Sequence, residues 1–341
     1  MSRSAQRIAL VVVVIAIVLS ACSADKPPRP AYRKVTIAIA GDVQFVEKTA
    51  TLLNDPDSAF GPVSDVFRRA DLAMVNLESA VTTRGTPEPK YHHFRAPSTA
   101  YVALRAAGID AVTIANNHSL DFGRVGLGDT LDFAEKSGVQ TFGAGRTATE
   151  AYAPWISRVK GTTVAVLGIS QVDQLASSWS AGDHRSGIAH ASDVSRSLGA
   201  VRAASARADL VIVFMHWGQE GNACPTTEMT SFARRLADAG ADAIVGTHAH
   251  LLQGDGWLGS TYVAYGLGNF VWRRNDAFSN DTGVLRLGVG ADGTVEPDFV
   301  PAVIDRNTGQ PIPVTGSEAD RVMRKFHSLR ACTGLAGRPT S

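Results

Sequence analysis

Five short apolar runs in this 341-residue chain end in residue types that bind metal ions. VTIAIA (35–40) leads into Gly41-Asp42, and LAMV (72–75) into Asn76-Leu77-Glu78. AVTIA (111–115) leads into Asn116-Asn117-His118, with Asp121 close behind. LVIVFM (210–215) leads into His216-Trp217-Gly218 and then Glu220, and AIVG (243–246) into Thr247-His248-Ala249-His250. Any one histidine after a strand is more often a hydrogen-bonded structural residue. Five runs with the same ending point to a shared centre, since Asp, Glu, Asn and His together are donors for one or two divalent ions. His248 and His250 are the sharpest pair, because alternate residues of an extended strand point the same way. Such a centre would hydrolyse or transfer an acyl or phosphoryl group: a metal lowers the pKa of bound water toward about 7 and neutralises charge on the attacked group. His118, with Asp121 or Glu220, would move the protons.

The elements that must position these residues follow from the same runs. Residues 35–40, 72–75, 111–115, 163–168, 210–215 and 243–245 are expected as buried strands. Between them, residues 100–107, 127–136, 194–206 and 227–239 have amphipathic helical spacing, and Gly108 and Gly240 stand where left-handed caps belong. Strand–helix alternation of this kind predicts an α/β fold with parallel or mixed sheets, in which ligands bind beyond the carboxyl ends of the strands. Residues 262–265, 283–289 and 294–303 add a β-rich carboxyl-terminal part, followed by a last helix at 317–329. The phrases RAAGIDAVTIANNH (105–118) and LADAGADAIVGTHAH (236–250) repeat one unit: helix, glycine cap, Asp, apolar strand, polar site.

Composition narrows the function. With 33 Lys+Arg against 32 Asp+Glu, the chain has no basic excess that would mark a nucleic-acid binder. At the amino terminus, Arg3 and Arg7 precede an apolar run, Ile8 to Leu19, too short for a bilayer core that takes about 20 residues. The run ends in Leu19-Ser20-Ala21-Cys22 and resembles a bacterial lipoprotein signal. That resemblance implies removal of residues 1–21, lipidation of Cys22, and anchorage to the outer face of the cytoplasmic membrane. The other reading is an ordinary secretory signal with an incidental cysteine. Residues 22–34 (CSADKPPRPAYRK) read as a Pro-rich tether, and residues 35–341 as one domain. Outside the cytoplasm Cys224 and Cys332 would tend to pair, the alternative being two separate thiols.

The phrases GDV (41–43), NLES (76–79), FRAP (94–97), ANNHSLDFG (115–123), HWGQE (216–220), GTHAH (246–250) and YGLGNFVW (265–272) resemble the CapA family of poly-γ-glutamate capsule synthesis proteins, which is related to the calcineurin-like metallophosphoesterases. The resemblance covers nearly the whole chain from Val35. It implies a metallophosphoesterase-like sandwich of two mixed β-sheets flanked by helices, with one or two manganese, zinc or iron ions. Asp42 and His250 would hold one ion, Glu78 would bridge, and Asn117, His216 and His248 would hold the second. His118 would be the proton donor outside the ligand set. Two departures stand out: the Asp-x-His of the phosphoesterases reads Asp42-Val43-Gln44, and their GDxxD motif is replaced by NLE. Implied partners are membrane subunits of a polyglutamate synthase and an anionic polymer substrate.

Lys90, His93 and Arg95, in the loop PEPKYHHFRAP, could meet such an anion or simply form a solvated loop. Asn269, in GLGNF, stands at a tight turn near the expected site, and Trp217 and Trp272 read as packing residues.

Overall fold

The computed structural model describes residues 34–275, 278–290 and 292–340. The amino-terminal signal, Cys22 and all of the tether but Lys34 lie outside the described residues.

Two mixed sheets form the frame. Their strands are β1 (Val35–Val43), β2 (Leu72–Leu77), β3 (Ala111–Thr113), β4 (Gln140–Phe142), β5 (Trp155–Val159), β6 (Thr162–Ser170), β7 (Leu210–His216), β8 (Ala243–Thr247), β9 (Leu252–Leu258), β10 (Thr261–Leu267), β11 (Asn269–Val271), β12 (Asp281–Val289), β13 (Val295–Ile304) and β14 (Pro311–Pro313). The first sheet has the order β14-β13-β12-β1-β2-β3-β4, with β11 added beside the end of β1; the second has the order β9-β10-β8-β7-β6-β5. In the first sheet β1 to β4 are parallel out to one edge and β12 to β14 are antiparallel on the other side; in the second, a parallel centre has an antiparallel strand at each edge.

Side-chain alternation explains the layering. In β1, Val35, Ile37 and Ile39 face the second sheet and pack with Val166, Ile212, Phe214 and Val245. Ala38 and Ala40 face the other way, toward Tyr101, Leu104 and Leu127 of helices α1 (Thr99–Ala107) and α2 (Gly123–Ser137). On the far side of the second sheet, Val211, Val213 and Met215 pack against Leu198, Val201, Met229 and Phe232 of α3 (Val194–Ser205) and α4 (Thr227–Asp238). The last helix, α5 (Gly316–Ser328), lays Val322 and Phe326 onto the edge of the inter-sheet core. The architecture is the sandwich of two helix-flanked mixed sheets that the sequence predicts. Gly108 and Gly240 take left-handed backbone (φ 87° and 100°), as expected of caps.

The sheets approach closely at Gly168. A Cβ on Gly168 of β6 would lie 2.5 Å from Thr113 Oγ1 of β3 and 3.0 Å from the Cα of Gly143, just after β4. This contact lies near the carboxyl ends of β3 and β6. The carboxyl termini of both sheets therefore meet at one rim, and no bulky side chain holds them apart there.

Cys224 and Cys332 form a disulfide, 108 residues apart in sequence, which ties the loop after β7 to the turn after α5.

Candidate metal centre

The centre sits across that rim. β1 ends beside Asp42, β2 runs into Glu78, and the turn after β3 carries Asn117 and His118. From the second sheet come His216, at the end of β7, and His248 and His250, just past β8. The first sheet thus supplies the carboxylates and the second sheet the imidazoles of the ligand set. Except for His250, which is partly buried, all six expected ligands are at most 5% exposed.

They resolve into two groups that share Glu78. In one, a donor atom each of Glu78, His216 and His248 lie within 4.8 Å of one another; in the other, Asp42, Glu78 and His250 do so. In the first group His216 Nε2 stands 2.8 Å from Asn117 Oδ1, 3.1 Å from His248 Nδ1 and 3.7 Å from Glu78 Oε1. Bonds of about 2.0–2.1 Å in a tetrahedral shell would space donors roughly 3.3 Å apart, which falls within this range. In the second group His250 Nδ1 is 3.2 Å from Asp42 Oδ2, and its Nε2 is 3.9 Å from Glu220 Oε1. The pairing of His248 with His250 differs from the expectation. The strand ends at Thr247, and both histidines have left-handed backbone, with φ of 88° and 58°. They are not alternate residues of an extended strand, and the reversed backbone sends them to different groups.

Supporting polar residues hold the donors. Asn76 donates from Nδ2 to Asp42 Oδ1 (2.7 Å) and contacts His216 Nδ1 (3.2 Å), which also meets Thr247 Oγ1 (2.9 Å). Asn116 donates to Asn76 Oδ1 and Leu77 O, both at 2.9 Å, and accepts from the His118 backbone N–H, which fixes the turn carrying Asn117 and His118. The sequence marks Asn76, Asn116 and Thr247 as strand-end residues, but their supporting roles depend on distances across the rim.

The donors fit a cation on two observations. Neither Glu78 oxygen has a hydrogen-bond partner, although the carboxylate is fully buried. Burial, followed by repulsion from Asp42, raises its pKa well above the ordinary carboxylate range. Burial pushes the imidazoles of His216 and His248 well below their ordinary pKa, so both present neutral nitrogen lone pairs. A bare carboxylate beside a second, hydrogen-bonded one, set among neutral histidines, is the donor set of a divalent ion. Gln44, where the phosphoesterase motif has histidine, is fully buried, and its amide makes no hydrogen bond.

His118 borders the first group without joining it. Its Nε2 is 3.7 Å from Glu78 Oε1, and its Nδ1 is 2.7 Å from Asp121 Oδ2. Burial pushes its pKa down to about 4, although the Asp121 hydrogen bond works the other way. Phe94 stacks on the ring, centroid to centroid 3.8 Å. Asp121 also accepts from Lys90 Nζ (2.7 Å) and from the Phe94 backbone N–H, so it orients His118 from a fully buried position.

The expected anion-binding loop is arranged differently. Lys90 is turned inward, its side chain 2% exposed, onto Asp121 and the Asn117 carbonyl. His93 Nε2 meets Glu88 O, and Arg95 lies over the Phe122 ring while donating to Arg84 O. A polar composition reads as solvated, and here the charges instead serve internal partners. Glu220 stands at the rim near His250 rather than among the donors, its side chain 54% exposed. Asn269 is buried beside Asp42 in the β1–β11 pairing, with both amide atoms unpartnered. Trp272 packs its ring 4.4 Å from that of His250, so it walls the site as well as filling space.

Residues 36–274 match the sequence profile of the bacterial capsule synthesis protein family PGA_cap. The PGA biosynthesis protein CapA of Bacillus subtilis (strain 168) is 28% identical over 298 residues, which cover 86% of this chain and 77% of that one. The capsule biosynthesis protein CapA of Bacillus anthracis is 28% identical over 302 residues, covering 86% of this chain and 73% of that one. A crystal structure described as a novel phosphatase of Mycoplasma pneumoniae superposes with a TM-score of 0.50 at 12% identity, over 80% of this chain and 94% of that one. At that identity the likeness is one of fold.

Proposed function

This chain belongs to the bacterial capsule synthesis protein family PGA_cap, and on that premise we propose that it is a metal-dependent hydrolase or transferase of poly-γ-glutamate capsule synthesis or export, working outside the cytoplasm. Glu78 carries the reading: a fully buried carboxylate with both oxygens unpartnered, set between two groups of metal-donor side chains. Asp42, Glu78 and His250 would hold one divalent ion, and Glu78, Asn117, His216 and His248 a second. Bound there, such ions would acidify water and draw charge from the attacked carbonyl or phosphoryl group.

The chain's own residues supply the rest. Asp121 holds His118 at Nδ1, which leaves Nε2 as the atom that takes and returns a proton beside Glu78. Lys90 neutralises Asp121 and keeps it in place. Phe94 and Trp272 close one wall against water.

Two experiments test the reading. Elemental analysis after reconstitution with manganese, zinc or iron should find bound metal in the wild type and in His118→Ala, and less in His250→Ala. His118→Ala should lose about 10²–10⁴-fold in turnover of γ-glutamyl polymer. Wild type that stays metal-free would leave a non-catalytic scaffold as the better reading. For location, the Leu19-Ser20-Ala21-Cys22 sequence supports a lipid anchor on the membrane's outer face, a tether over 22–34 and a single domain over 35–341. Cys22→Ala should release the protein from the membrane fraction or stall its processing. A variant that fractionates and migrates as wild type does would exclude the anchor.

A further inference from the structure

A small cavity opens beside His250. Its walls include Trp272, Asn269, Ser279, Arg274 and Glu220, and its volume is about 50 Å³. A water-sized group needs roughly 10–15 Å³, so the space admits one small substituent of a substrate and not a length of polymer. Its lining is chemically unfinished. Asn269 is 1% exposed with neither amide atom bonded, and Ser279 is 3% exposed with an unpartnered hydroxyl. A buried polar group without a partner costs on the order of 1–3 kcal/mol, so two at one cavity leave hydrogen bonds that a polar ligand would complete. Arg274 is exposed at the mouth, and its guanidinium has no carboxylate partner among the described residues. Glu220 lines the same cavity but makes no ion pair with Arg274; its carboxylate lies 3.9 Å from His250 Nε2. The Trp272 ring offers an apolar wall beside His250.

Guanidinium, amide N–H and hydroxyl are the donors that receive a carboxylate, with arginine able to bind it through two parallel hydrogen bonds. In a γ-linked glutamyl chain each unit keeps one free α-carboxylate, separated from the next amide by two methylenes. We infer that this cavity is a carboxylate subsite, in which Arg274, Asn269 and Ser279 take the free α-carboxylate of the glutamyl unit next to the bond at the metal centre, with its methylenes against Trp272. The inference rests on the polyglutamate reading above and sharpens it: the enzyme would recognise its polymer by the spacing between a backbone amide and a side carboxylate. The loop 90–95, which the sequence singles out for this task, has its charges engaged elsewhere.

The test is binding of a fluorescent γ-glutamyl hexamer, and of the same hexamer with every α-carboxylate converted to carboxamide, to metal-loaded full-length protein. Fluorescence anisotropy gives the affinities, and elemental analysis confirms equal metal loading. Wild type should prefer the carboxylate hexamer by about tenfold or more. Arg274→Gln should erase that preference, Arg274→Lys should restore part of it, and Arg158→Gln, an equal charge change on the exposed edge of β5, should leave it intact. A preference that survives in Arg274→Gln, or that Arg158→Gln removes equally, overturns the subsite while leaving the polyglutamate reading in place. Wild type that loads metal yet binds neither hexamer overturns the polyglutamate reading itself, and the carboxylate assignment falls with it.

Discussion

Glu78 offers two bare oxygens to a buried pocket, so the change Glu78→Gln separates its charge from its shape. The amide fills the same space without the cost of burying a charge. The metal-free variant should therefore melt no lower than metal-free wild type. Its metal affinity should fall by more than the 10–100-fold typical of losing an outer-shell partner, which calorimetric titration of apo protein reads directly. Residue types alone made most of this centre legible, because Asp42, Glu78, Asn117, His216, His248 and His250 each follow an apolar run. What escaped the sequence at this scale is backbone sign and side-chain commitment. The positive φ at His248 and His250 has no signature in Thr-His-Ala-His, and the inward turn of Lys90 depends on Asp121, 31 residues away. The cavity beside His250 is illegible for a related reason: Arg274 follows β11 and Ser279 precedes β12, and both strands are placed by long-range pairing with β1.

The central strands and the four main helices are legible from periodicity to within a few residues at most ends. Those missed have identifiable causes. β5 (WISRV) is an edge strand with half-exposed side chains, and β9 (LQGDGWL) carries two glycines that mask its pattern. The early start of α2 is hidden by Gly123 and Gly126, poor helix formers. Two predictions belong at this scale. Gly168→Val would drive side-chain atoms into Thr113 and Gly143, where the elements of the two sheets touch. It should cost about 1–3 kcal/mol, as overpacking does, and also weaken metal binding, although Gly168 is no ligand; thermal melts and metal titration of one preparation check both. Cys332→Ser opens the link between the loop after β7 and the turn after α5. For a closed loop of about 100 residues, chain entropy sets the loss near 4–5 kcal/mol, measurable as a lower urea midpoint under non-reducing conditions.

For the whole molecule, the decisive arrangement is that one sheet brings the carboxylates and the other the imidazoles. No half of the sandwich holds a complete donor set, and the unfolded chain holds none. Any ion bound at Glu78 is therefore bound by the closed sandwich alone. Mass action then makes metal activity a stability variable: at a free concentration a hundred times the dissociation constant, the folded state gains about 2.7 kcal/mol. The melting temperature should climb logarithmically as manganese or zinc is titrated in and drop on adding a chelator, with no substrate present. A melting temperature indifferent to both would mean that no ion bridges the sheets. This turns heat into the reagent: a melting curve run against a panel of divalent salts ranks the candidate ions, and the one that raises the midpoint at the lowest free concentration is the one the folded rim holds most tightly.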